Sequence, residues 1–266
     1  MVSLCDTKES VFMEERATNT TAVPLMSGAG SVSGPIRLDT IEVIGFDADD
    51  TLWENARYFV AVEDAFCSLM APYMNPESVR SLLYKVEQRN MPWYGYGVMA
   101  YTLSLIEAAI EGSHGLVPAD DIHRLLELGR GMLQQPVALL PGVAAVLPRV
   151  AAVKRLVVVT KGDLLDQERK LKASGLLPYF HHIEIVTEKK VSNYGRLLDT
   201  LSIRPEAFLM VGNSLRSDIL PVLSLGCHAI HIPQPDVWAH EHADIPESDY
   251  LTVASMEDLP GVLGLD

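Results

Sequence analysis

Short apolar runs rich in β-branched residues, spaced along the chain between amphipathic stretches, restrict this sequence more than any other feature. "IEVIGF" (41–46), "RLVVVT" (155–160), "IEIVT" (183–187), "AFLMVG" (207–212) and "HAIHIP" (228–233) each read as a buried strand, and "YLTVA" (250–254) as a weaker sixth. Between them, "GDLLDQERKLKASG" (162–175) places Asp163 where a helix starts and Gly175 where it stops. "VSNYGRLLDTL" (191–201) and "PVLSLG" (221–226) read as helices in the same way. Strands alternating with helices build parallel βαβ units, so the expected fold class is α/β with an open parallel sheet.

One interval breaks the rhythm. Residues 47–154 separate the first run from the second, where a crossover needs a single helix. The interval reads as helices at roughly 56–71, 76–89, 98–112 and 119–133, after which "LLPGVAAVLPRVA" (139–151) returns to the sheet. An all-helical insertion at this point stands above the carboxyl ends of the strands, where open α/β sheets bind ligands. The expected organisation is therefore a core of 39–54 and 138–266 with a helical cap over a cleft at 55–137. Residues 1–38 show no periodicity, are rich in Ser, Thr and Gly, and read as a flexible extension. Their "GAGSVSG" mimics a dinucleotide-binding loop, but no strand precedes it and Pro35 follows where a helix should open.

Charge and cysteine content narrow the partners. The formal net charge is −14, which opposes nucleic acid and anionic membranes as partners because those contacts need clustered Lys and Arg. A small anionic substrate remains compatible with it. Cys5, Cys67 and Cys227 offer neither a disulfide framework nor a Cys-x-x-Cys pair, so a reducing cytoplasm is the expected setting. No apolar run approaches the ~18 residues needed to span a bilayer. Oligomeric state is left open.

The densest chemistry lies in "IGFDADDTLWEN" (44–55). Asp47 directly follows the first strand, at the ligand-binding edge. In extended backbone, residues two apart point the same way, so Asp47 and Asp49 can face one pocket while Asp50 points into solvent. Two close carboxylates push their pKa values apart, supplying an ionised nucleophile and a protonated general acid. A carboxylate attacking a phosphate needs cations and hydrogen-bond donors around it. The other strand ends carry such groups. Thr160, Lys161 and Gly162 combine a hydroxyl, an amine and free amides at a helix entrance, which suits phosphate. Glu188-Lys189-Lys190 follows the third strand, and Asn213 and Asp218 after the fourth offer oxygen ligands for Mg2+.

In this order the motifs D-x-D-x-T, strand-end Thr, Lys and G-[DN]-x-x-x-x-D resemble the haloacid dehalogenase-like superfamily from about Ile41 to Pro233. The resemblance implies a Rossmann-like core with a helical cap inserted after the first motif. It implies Asp47 as the nucleophile that forms an aspartyl-phosphate and Asp49 as the acid that protonates the leaving oxygen and then activates water. It further implies Thr160 and Lys189 on the phosphoryl group, and Mg2+ held by Asp47, the backbone carbonyl of Asp49, Asn213 and Asp218. Many members carry Asp where Asn213 stands, which removes a charge from the metal site. Lys190 is the alternative to Lys189. Asp49 favours phosphoryl chemistry over dehalogenation, because halide leaves without a proton. The expected activity is a Mg2+-dependent phosphatase of a small phosphorylated metabolite. The alternatives are a phosphomutase of the β-phosphoglucomutase type and a binding or regulatory protein with little turnover.

In the cap, "RNMPWYGYG" (89–97) is broken by Pro92, Gly95 and Gly97. Trp93, Tyr94 and Tyr96 are the candidate substrate contacts there. The histidines at 181, 182, 228, 231, 240 and 242 show no metal-binding spacing and read as packed or solvated.

Overall fold

A computed structural model describes residues 39–235, 238–241 and 250–265. The extension at 1–38 and His242 lie outside the described residues. The core strands are β1 (Val43–Phe46), β2 (Arg155–Lys161), β3 (Phe180–Val186), β4 (Phe208–Gly212), β5 (His228–His231) and β6 (Leu251–Thr252). They form one parallel sheet in the order β3-β2-β1-β4-β5-β6. Helices α1 (Ala56–Met70), α2 (Pro76–Tyr94), α3 (Val98–Gly112) and α4 (Ala119–Leu133) are inserted between β1 and β2. The later helices are α5 (Val143–Ala151), α6 (Leu164–Ala173), α7 (Val191–Leu201), α8 (Leu220–Leu223) and α9 (Leu259–Val262).

β1 lies at the centre, with Phe46 level with Val158 of β2 and Val211 of β4. All four of its residues are buried, as a strand covered on both faces requires. Alternate residues feed separate cores. Ile44, Phe46, Val158 and Val211 meet α5 and α9 on one face, while Val43, Val157, Phe208 and Met210 meet α7 and α8 on the other. Gly45 sits where neighbouring side chains leave no room: an added Cβ would lie 2.6 Å from the Phe208 ring. The strand order reverses beside β1, and the crevice at such a switch point is where this architecture binds ligands.

The inserted helices have their own core, built from residues such as Phe66, Met70, Leu83, Leu105 and Leu125. The two connections to the sheet pair with each other. Glu54 N donates to Ala138 O and Leu140 N donates to Leu52 O, both at 3.0 Å. The cap therefore hangs from a narrow neck.

Several boundaries differ from the sequence reading. β3 begins at Phe180, so His181 and His182 lie within it, and His181 Nδ1 accepts from Leu156 N at 3.3 Å. The α2 helix continues past 89 through Pro92 to Tyr94, and Gly95 N still bonds Met91 O at 2.9 Å. A proline near a helix end removes one bond without ending the helix. α5 opens only after Gly142, whose φ of 80° ends the preceding extended segment. A π-helical turn, Leu215–Ile219, precedes the short α8.

Candidate active site

The carboxyl edge of the sheet and the underside of the cap enclose a cavity of about 760 Å3. Asp47 N donates to Val211 O at 2.9 Å, which continues the sheet pairing one residue beyond β1 and fixes the Asp47 side chain at the cavity floor. The chain then turns on Ala48, whose carbonyl accepts from Leu52 N at 2.8 Å. That turn brings Thr51 Oγ1 within 3.0 Å of Asp47 Oδ2 and 3.3 Å of Asn213 Oδ1.

Asp50 is a correction. It is not solvated: at φ 62° its carboxylate accepts from Asn55 N and Ala56 N at 2.8 and 2.9 Å, and so caps the start of α1. Burial pushes its pKa up to about 6.

The other strand ends converge on the same floor. Thr160 is 1% exposed and lines the cavity. Gly162 follows at φ 126°, where an added Cβ would lie 2.9 Å from Gln167 Nε2. Lys189 is buried and donates to Asp47 Oδ1 and, at 2.7 Å, to Asp218 Oδ1. Lys190 instead points outward and pairs with Glu188. Asp218 also accepts from Ser214 N at 3.0 Å.

Of the aromatic trio, Tyr96 alone lines the cavity, and its hydroxyl donates to Glu188 Oε1 at 3.4 Å. Trp93 is 81% exposed and Tyr94 reaches Glu107, because the last turn of α2 carries both away from the floor. These two are not cavity residues. Lys161 lines the cavity, with its ammonium already engaged. Its ammonium lies 4.5 Å from the centre of the Tyr96 ring, donates to Ser217 Oγ at 2.9 Å, and is ion-paired with Glu241.

Sequence reasoning missed four groups that shape the site. Asp49 is held by Lys170 Nζ, Gln167 Nε2 and Trp53 Nε1, each at 2.7 Å. Lys170 and Gln167 project from one face of α6, three positions apart. The only sequence signal for them was a helix starting just after the phosphate-binding strand end. The fourth group, Glu241, receives hydrogen bonds from Lys161, Ser214 Oγ and Ser217 Oγ, the last at 2.6 Å. Its position on a loop far along the chain gave no signal.

The electrostatics reverse the expected split between the two aspartates. Burial raises Asp47 to about 7 against the pull of Lys189, with Asp218 and Asp49 adding repulsion. Burial would also raise Asp49, but the Lys170 ammonium and the three hydrogen bonds hold it below the usual carboxylate range. Burial would lower Lys189, yet the Asp218 and Asp47 carboxylates keep it above its ordinary value. Burial alone would raise Glu241, but Lys161 and the serine hydroxyls bring it down to about 2.

Among the described residues no cluster of three or more His, Cys, Asp or Glu side chains forms a ready metal cage. Mg2+ binds through one or two carboxylates and completes its shell with water and substrate phosphate. Asp47 and Asp218 share the Lys189 ammonium, and Asn213 Oδ1 lies beside them, so the oxygens present are of the hard type this ion takes.

A parallel sheet with this strand order, carboxylates at its switch point and a helical cap over them define a capped Rossmann-like α/β fold with its cleft at the carboxyl edge of the sheet. Residues 41–226 match the family model of haloacid dehalogenase-like hydrolases, and the chain belongs to that family. A haloacid dehalogenase-like family hydrolase from Xanthomonas campestris is 39% identical, with a TM-score of 0.75 over 85% of this chain and 92% of that one. The mouse (Mus musculus) N-acylneuraminate-9-phosphatase is 25% identical over 244 residues, 85% of this chain and 95% of that protein. YfnB from Bacillus subtilis, a structure bound to magnesium, shares the fold at 19% identity and a TM-score of 0.59, over 84% of this chain and 98% of that one. No helix among the described residues is long and apolar enough to cross a membrane.

Proposed function

We propose that this chain is a Mg2+-dependent phosphatase that hydrolyses the phosphate ester of a small metabolite through an aspartyl-phosphate on Asp47. The observation that carries this reading is the meeting of Asp47, Thr160, Lys189 and Asp218, from four separate strand ends, on one cavity floor. The resemblance to the mouse and rat N-acylneuraminate-9-phosphatases supports phosphate monoesters as the substrate class. The described cysteines, Cys67 and Cys227, are free and buried, in keeping with a cytoplasmic setting.

In this reading Thr160 Oγ1 and amides at the entrance to α6 hold the phosphoryl oxygens, and Lys189 offsets their charge. An Asp47 carboxylate oxygen bonds to phosphorus as the ester oxygen leaves. Asp49 gives that oxygen its proton, then takes a proton from the water that attacks the acyl-phosphate. Against the effect of burial, the Lys170 ammonium favours the ionised form of Asp49 before substrate binds. A phosphate dianion arriving beside it raises its proton affinity, so Asp49 takes up a proton from solvent before it protonates the leaving oxygen. Asp47, Asp218, the Asp49 carbonyl and Asn213 would hold Mg2+, whose charge would offset the repulsion between carboxylate and phosphate. Hydrolysis of an aryl phosphate by the purified chain, present with Mg2+ and abolished by chelation, is the expected result. Absence of hydrolysis with Mg2+ present would refute the reading.

A further inference from the structure

We propose, building on the phosphatase reading above, that the non-phosphate half of the substrate is a hydroxylated skeleton carrying no second acid group. Among the described residues, every cation lining the cavity is already engaged. Lys189 pairs with Asp47 and Asp218, and Lys170 with Asp49 at 2.7 Å and Asp166 at 3.4 Å. Lys161 pairs with Glu241, and Arg80 with Glu63 at 2.6 Å and Asp64 at 2.5 Å. These four cations face nine carboxylates on the same lining. The phosphoryl end meets Lys189 and the metal oxygens, which leaves no uncommitted cation among the described lining residues for another anionic group.

The cap side carries the same sign. Glu63 and Glu87 line it, and Glu87 is 8% exposed with His240 Nε2 at 3.2 Å as its partner. A carboxylate brought against this wall would lose its water and meet the Glu63 and Glu87 carboxylates, with Arg80, the one cap-side cation of the described lining, already paired to Glu63 and Asp64. Hydroxyl groups meet the opposite circumstance. Tyr101, 6% exposed, has a hydroxyl without a hydrogen-bond partner, and Gln167, 2% exposed, has an Oε1 without one. Both residues line the cavity, on the cap and core sides respectively. One of these groups donates or accepts and the other only accepts. A ligand hydroxyl does both, so it satisfies either, whereas a carboxylate satisfies only Tyr101. Phe59, Leu83 and Val98 supply apolar wall for a carbon skeleton.

Three sugar phosphates of one ring size test this: glucose 1-phosphate, glucosamine 1-phosphate and glucuronic acid 1-phosphate. Their affinities are measured by calorimetry on the full-length Asp47→Asn protein with Mg2+, so that turnover is not needed. The acid should bind at least tenfold more weakly than the neutral sugar, and the amine at least as tightly as the neutral sugar. A smaller gap for the acid, weaker binding of the amine, or no binding of any of the three would overturn the proposal. Adding Glu241→Gln frees Lys161 and should bring the acid to within about threefold of the neutral sugar. An unchanged gap would overturn the assignment of Lys161 as a neutralised cation. Aryl phosphate hydrolysis by the unmodified protein is measured in parallel. Its absence would count against phosphatase activity alone, while the affinity series still reads the charge preference of the cavity.

Discussion

Asp47 and Asp49 stand two positions apart in one loop, yet their surroundings drive them in opposite directions. Asp47→Asn changes charge but hardly shape, so it should lower aryl phosphate turnover at least ~1,000-fold while leaving the circular dichroism spectrum unchanged. The same variant tests the electrostatics. A carboxyl whose folded pKa is raised, here to about 7 from 3.8, stabilises least when ionised. Its contribution is lost as pH rises from about 4 through 7 and is constant above that. In metal-free buffer the melting temperature of Asp47→Asn relative to the unmodified protein should therefore climb from pH 4 to 7 and then level off. A gap that shrinks over this range would contradict the raised pKa. Asp49→Asn should slow alkyl esters by about 10-fold or more beyond its effect on aryl esters, because only the poorer leaving group needs the proton. Equal losses would remove its acid role. Both positions were visible in the sequence because each follows an apolar run at fixed spacing. Their charge states were not, since Lys170 comes to Asp49 from 121 positions away.

Elements place these groups by their ends. The α1 helix starts on the Asp50 carboxylate, a cap hidden from sequence reading because it reaches forward five and six positions rather than the usual two or three. Asp50→Ala should cost about 0.5–2 kcal/mol in urea unfolding, the range for a lost helix cap. No change would mean that the cap is replaced by water. α6 carries Gln167 and Lys170 to Asp49, and its N-terminal Asp163 accepts from Met99 N of α3 at 3.0 Å. One core helix therefore holds both the candidate acid and a cap helix. The boundaries of α2 and β3 differ from the sequence reading at Pro92 and at His181–His182. Propensity at one position is a weak local signal, and the packing of a whole helix or strand outweighs it.

The two halves of the molecule close on each other through more than the neck. His240 of the core stacks on Tyr84 of α2 at 4.2 Å with rings 9° from parallel, and hydrogen-bonds Glu87 on the same helix. Tyr96 meets Trp238 at 5.7 Å across the same seam. His240→Ala should remove the partner of a buried carboxylate, costing about 1–3 kcal/mol of stability. It should also raise KM for an aryl phosphate severalfold as the cap loosens. An unchanged KM would show that this seam does not hold the cap over the cavity. Apolar periodicity and the order of polar residues at strand ends are local properties of a chain, so the parallel sheet, the inserted helices and the candidate residues at the sheet edge could all be read from the linear order. The pairing of each lysine with its own carboxylates, the capping by Asp50, and the acidic, hydroxyl-accepting character of the cavity could not. Electrostatic and hydrogen-bond energies depend on distances of a few ångströms in a low-dielectric interior, and those distances exist only once residues far apart in the chain have been folded together.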